Sequence, residues 1–126
     1  MIQKVRENKS QDFTLYNKIR DFNNYVRINV ANSIPNVYRD IRIHLLDECY
    51  SLASLLFGAV YNKGNIRMKY LNDMRVKLSL IDLLISEIRD FKIIKDKTLN
   101  VAITKLATIK NIVYGWIINE EKGKNK

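Results

Sequence analysis

The sequence predicts an all-α chain folded as an antiparallel, up-down four-helix bundle. Three observations carry that expectation. Apolar residues recur at alternating steps of three and four, the spacing that lines them up on one helix face. Only four glycines and a single proline interrupt the 126 residues, which favours long helices over a β sandwich with many turns. The breaks between helices two, three and four are short, so those neighbours are expected to run antiparallel. The length suits one domain, residues 1–126, large enough to close a core without disulfide or metal staples.

Residues 1–11 are polar and mixed in charge and read as a flexible lead-in. Helix one is expected over 12–32, with Leu15, Ile19, Phe22, Val26 and Val30 as its buried stripe. Asn32-Ser33-Ile34-Pro35 then ends it, because a residue before proline is pushed away from helical angles. Proline fits the first turn of a following helix, where its missing N–H costs nothing. Helix two is expected over 35–61. One face carries Ile41, Leu45, Cys49, Leu52 and Leu56, and a second stripe carries Ile43, Leu46, Tyr50 and Phe57. Asn62-Lys63-Gly64-Asn65 ends helix two with a glycine suited to left-handed angles.

Helix three is expected over 65–91. Leu71, Met74, Leu78, Ile81, Ile85 and Ile88 share one face, and Val76, Leu80 and Leu83 lie about half a turn away. Helix four is expected over 96–119, with Asp96 as a candidate N-cap and Leu99, Ala102, Leu106, Ile109, Val113 and Trp116 as its stripe. Residues 120–126 read as a flexible charged tail.

Helices two and three thus own more apolar surface than one bundle core uses. The expectation is a homo-oligomer, ring-like in form, with Ile43, Leu46, Tyr50, Phe57, Val76, Leu80 and Leu83 at the subunit contact. Opposite the helix-four core lie Asn100, Thr104, Thr108, Asn111 and Asn119. That neutral polar face suits a wet subunit contact or an uncharged surface.

The chain carries 22 Lys and Arg against 13 Asp and Glu, a formal charge of +9. The excess fits a polyanion partner, and it equally fits a lysine-rich surface that only solubilises. The cations are dispersed, which argues against a nuclear-localisation signal or a polybasic membrane anchor. The single cysteine, Cys49, is expected to be a buried thiol in a reducing compartment. No early run resembles a signal peptide, and no stretch reads as long enough in apolar residues to span a bilayer. A cytoplasmic protein without a membrane partner is expected.

Enzyme chemistry finds little footing. His44 is the only histidine and has no partner at metal-ligand spacing, so neither a metal site nor any cofactor is expected. His44 and Cys49 do not make a nucleophile pair by spacing, and a boundary histidine with a local hydrogen bond is the simpler reading. Asp47 and Glu48 point different ways around a helix, and Asp82, Glu87 and Asp90 fall mostly outward. Gly58 and Gly115 lie inside helix patterns, where close helix approach is sufficient reason for them. Phe22, Phe91 and Trp116 fall on or beside core stripes, so no base-stacking platform is expected from them.

The order Ile34-Pro35, Arg39, Leu46 to Ala59, then Arg67 with Leu71, resembles the Avd family. This is the accessory variability determinant of diversity-generating retroelements, related to the four-helix-bundle intervening-sequence proteins of bacterial ribosomal RNA genes. The likeness continues through Asp90-Phe91-Lys92-Ile93-Ile94 and Lys97, and closes on Ile109-Lys110 and Tyr114-Gly115-Trp116. It spans roughly residues 12 to 118. The resemblance implies a barrel-like homopentamer with a basic surface that binds nucleic acid, RNA or DNA. It implies association with a reverse transcriptase and no catalysis of its own. Carried over position by position, the nucleic-acid-binding candidates are Arg39, Arg67, Lys92, Lys97 and Lys110. One departure stands out: Asp82 and Ser86 occupy places where the family carries helix-three arginines. The alternative expectation is a protein–protein interaction bundle whose positive charge serves no nucleic acid.

Overall fold

A computed structural model describes residues 2–124, with side chains described from residue 12 to residue 123. The chain is all-α, with four long helices. Helix α1 spans Ile2–Tyr25, so its backbone is helical about ten residues before the expected start. The lead-in explains this correction: it holds no glycine or proline and is rich in Gln, Lys, Arg and Glu, which lose little freedom in a helix.

The chain leaves α1 through a π turn, Val26–Val30, in which the Ala31 N–H reaches back to the Val26 carbonyl. A 3₁₀ turn, Ala31–Ser33, follows. The wider turn has a packing reason. From Phe22 the buried residues step by four, to Val26, Val30 and Ile34. In an α-helix each such step drifts about 40° around the axis. The π turn removes much of that drift, and all four side chains stay inside.

Ile34 is extended, as expected before proline. Pro35 is extended too, with ψ 156°, so it does not open the next helix. A 3₁₀ turn, Asn36–Tyr38, intervenes, and helix α2 spans Arg39–Val60. Helix α3 spans Gly64–Asp90, and Gly64 takes its left-handed φ of +60° as the first residue of α3 rather than as a cap on α2.

Helix α4 spans Asp96–Lys124 and runs past the expected end at 119. Glu120 is not part of a loose tail, because its carboxylate lies 2.8 Å from the Arg67 guanidinium. Asp96 stands in the first helical turn, where a carboxylate complements the helix dipole.

Contacts between helices run in opposite numerical order, so neighbours are antiparallel. Glu48 and Gly58 on α2 meet Lys77 and Tyr70 on α3. Asp82 and Arg75 on α3 meet Lys110 and Tyr114 on α4. Asp21 and Tyr25 on α1 meet Lys105 and Thr98 on α4. Tyr16 and Asn23 on α1 meet Phe57 and Cys49 on α2. Between these contacts lies one continuous apolar core. Every residue expected on the α1, α3 and α4 stripes is buried there, and on α2 all but the half-buried Ile41. Each fully buried Leu or Ile contributes roughly 1.5–3 kcal/mol. At Gly58 the backbone of α2 comes so close to the Tyr70 ring that a Cβ would fall 2.4 Å from it.

Two helical segments, Asn36–Val60 and Asp96–Gly123, reach a mean hydropathy of 1.3 and are long enough for a membrane span. This corrects the expectation that no stretch approaches that length. Only a third of each such window is buried. On α2 the remainder includes Ile43, Tyr50 and Phe57 of the second apolar stripe, which the core leaves outside.

Candidate nucleic-acid interface

The cations expected to meet nucleic acid divide into two groups. Arg67 is mostly buried and fully engaged. Its Nε lies 2.8 Å from Glu120 Oε1, its Nη1 donates to the Ala59 carbonyl at 2.7 Å, and its guanidinium lies over the Trp116 ring at 4.8 Å. It therefore ties α2, α3 and α4 together and has little to offer a phosphate. Lys110 lies 2.6 Å from Asp82. Asp82 is thus matched by a lysine of the neighbouring helix. Lys105 and Lys77 are likewise held, by Asp21 at 2.6 Å and by the buried Glu48 at 2.8 Å.

Arg39, Lys92 and Lys97 are different. All three are exposed, and so is Lys95. Among the described residues none of these four side chains has an ion-pair partner. The fold brings them to one end of the helices. Tyr38, just before Arg39, stacks on Phe91, just before Lys92, with ring centroids 6.4 Å apart. Lys95 and Lys97 belong to the turn into α4 and its first turn. The acids beside them are Asp40, Asp90 and Asp96, and Asp96 is shared with Arg89 at 3.7 Å. Other exposed cations, such as Lys18 and Arg20 on α1 or Lys63 and Lys69 near the start of α3, belong to different elements.

The end of α3 explains how Lys92 is presented. The Ile93 N–H bonds the Ile88 carbonyl at 3.1 Å and the Lys92 N–H bonds that of Arg89 at 3.0 Å. This is a Schellman ending, which needs a left-handed residue at Lys92, and its φ is indeed 54°. Glycine is the usual residue there, since a Cβ costs about 1–2 kcal/mol in that conformation. Residue type alone gave no sign of this.

Phe91 also corrects its expectation. The sequence pattern puts it on or beside the core stripe, yet it is 61 % exposed. It caps α3 one step beyond the last buried residue of the stripe and rests on Tyr38 instead. Nearby, Arg42 donates to the Ile34 carbonyl at 3.3 Å in the connection before α2, and the Tyr25 hydroxyl donates to the Thr98 carbonyl at 2.9 Å at the start of α4.

Of the residues expected at a subunit contact, Ile43, Tyr50, Phe57, Val76 and Leu83 are exposed, whereas Leu46 and Leu80 are half-buried against the core. The α2 stripe faces the α1 side, where Tyr16 meets the Phe57 ring and Arg27 donates to the Tyr50 hydroxyl. Phe13, Tyr16, Phe57 and Tyr61 form a row of rings beside a shallow cavity of about 240 Å³, which Asp12 also lines. Burial in that apolar setting pushes the Asp12 carboxyl above its ordinary range, with Arg67 pulling the other way. Val76 and Leu83 lie on α3 and form a separate patch.

On the neutral face of α4 the hydroxyls turn back on their own helix, Thr104 to the Asn100 carbonyl at 3.0 Å and Thr108 to that of Thr104 at 3.3 Å. Asn100 accepts from Arg89. His44 is exposed and 3.9 Å from Glu48, whose nearer partner is Lys77. The Cys49 thiol is pushed up to about 12 by burial, reinforced by Glu48, so it holds its proton and is no nucleophile at neutral pH. Among the described residues no group of three His, Cys, Asp or Glu side chains is placed to hold a metal ion.

Neither a protein-family model, a curated protein nor a solved structure matches this chain.

Proposed function

We propose that this chain is a non-enzymatic four-helix bundle that self-associates and binds nucleic acid through its charge. The observation that carries the reading is the set of unpaired cations, Arg39, Lys92, Lys95 and Lys97, gathered where α2 begins and α3 ends. Along the helix bodies Lys77, Lys105 and Lys110 are matched by acids of neighbouring helices, whereas these four cations lie together unmatched, so this end is where phosphates would be met. Lys92 adds weight, because a lysine occupies a backbone position that glycine fills at lower cost.

The exposed stripes on α2 and α3 support self-association, since together they present large apolar side chains that water meets at a cost. A ring, with the pentamer favoured by the Avd resemblance, would repeat the basic end around an axis. Weak patches then act jointly through effective concentration. In that reading the protein is an RNA- or DNA-binding accessory, partnered with a reverse transcriptase in a diversity-generating retroelement or acting as a stand-alone relative in the cytoplasm.

Mass in solution together with a salt titration of binding tests the proposal. Binding to mixed-sequence RNA and DNA should fall steeply and linearly in log–log form as salt rises. A monomer that binds neither nucleic acid even at low salt would end it. The row of rings along α1 and α2 favours a second reading, in which that groove takes a different protein and the charge is incidental. Absence of nucleic-acid binding by an intact oligomer would select it.

A further inference from the structure

We infer that the basic end is a single-strand site, in which Phe91 stacks a nucleobase while Arg39, Lys92, Lys95 and Lys97 hold the flanking phosphates. The inference rests on the charge-based reading above and names its substrate class.

Phe91 is the central observation. One face of its ring lies on Tyr38, and the ring is still 61 % exposed. Phe13 is exposed to the same degree but lies among other rings, whereas Phe91 stands among cations. As a stacking surface it makes sense. It is supported from behind by a second ring, so little conformational freedom is lost when a base lands on it.

The cations have the right relation to it. Arg39 and Lys92 adjoin the stacked pair in sequence, and Lys95 and Lys97 follow through the turn into α4. Aromatic rings interleaved with a basic track are how single strands are held without reading sequence, the backbone by charge and the bases by their faces. A duplex keeps its bases stacked on one another and has none to give Phe91. The Schellman hydrogen bonds fix the left-handed backbone of Lys92 directly after Phe91.

The test compares short thymidine and uridine homopolymers with a duplex of equal length, by fluorescence anisotropy at low and moderate salt. The intact protein should prefer the single strands. Phe91→Ala should weaken their binding roughly fivefold to a hundredfold and abolish the preference. Phe91→Trp should restore it, and the new tryptophan should be quenched by single strands, since Trp116 is buried and contributes a constant background. Thermal melting of each variant checks the fold, and quenching in Phe91→Trp keeps the test decisive if Phe91→Ala fails to fold. Equal affinity for both forms, or a Phe91→Trp variant that binds single strands without quenching, overturns the stacking site and leaves the charge reading standing. No binding to any polymer at low salt overturns the charge reading, and this inference with it.

Discussion

The two ends of the α2–α3 pair place Arg67 and Lys92 in opposite settings. Around Arg67 the guanidinium is spent inside the molecule, on Glu120, the Ala59 carbonyl and the Trp116 ring. Around Phe91 the charges of Arg39, Lys92, Lys95 and Lys97 point to water with no partner among the described residues. A formal charge of +9 says nothing of this difference. Charge is available to a partner only where the fold leaves it unmatched, and it is matched wherever a neighbouring helix brings an acid within reach.

Substitutions can break the contrast from either side. The largest effect on stability is expected at the engaged end. Arg67→Met takes the guanidinium off the Trp116 ring, orphans Glu120 and the Ala59 carbonyl, and should cost about 1.5–3 kcal/mol in denaturant unfolding. Its affinity for nucleic acid should barely change, and a large loss of affinity in a stably folded variant would erase the distinction between the ends.

At the open end the pattern should reverse. The double variant Lys92→Ala with Lys97→Ala should melt close to the parent. For single strands its slope of log affinity against log salt should be shallower by about 1.4, the share of two phosphate contacts. A subtler variant separates the two roles of a single residue. Lys92→Gly relieves the left-handed Cβ while loosening the unfolded chain, for a net gain of about 0.5–1 kcal/mol, and it should still weaken binding. Stability and affinity moving in opposite directions is the signature of a side chain retained for its charge.

The smallest effect concerns Cys49, remote from both ends. Its folded pKa of about 12 lies above the ordinary 9.0, so the native state holds the proton more tightly. The contribution of the buried neutral thiol is complete at neutral pH and is lost as pH climbs from about 9 toward about 12. A thiol reagent at pH near 8 should therefore label Cys49 slowly in the folded protein and quickly in denaturant, as read by absorbance.

Much of the fold was legible in the residues because burial obeys a spacing rule. Leu71 through Ile88 and Leu99 through Trp116 step by three and four, and they are buried as that rhythm requires. The second stripes were legible for the same reason, and most of their members stand exposed. The basic end was only half legible. Arg39, Lys92 and Lys97 were found as charges, but Arg67 and Lys110 looked equivalent to them. What separates the two sets is a partner distant in sequence, such as Glu120 for Arg67 or Asp82 for Lys110, and no local pattern encodes that. Phe91 was misplaced because one residue of helix end decides between core and solvent. The left-handed angle at Lys92 follows from hydrogen bonds closing across the turn, which a lysine does not announce.

The π turn at Val26–Val30 has an implication for lineage as well as for shape. Such a bulge behaves like an insertion that the helix has swallowed: it absorbs a spare residue without rephasing the segment that leads to Ile34 and Pro35. Deleting any one residue between Val26 and Val30 would return it to ordinary α geometry with the following connection in nearly the same phase. The same deletion earlier in α1 has no spare residue to draw on, and the tether carrying Tyr38 to its seat against Phe91 would then arrive rotated.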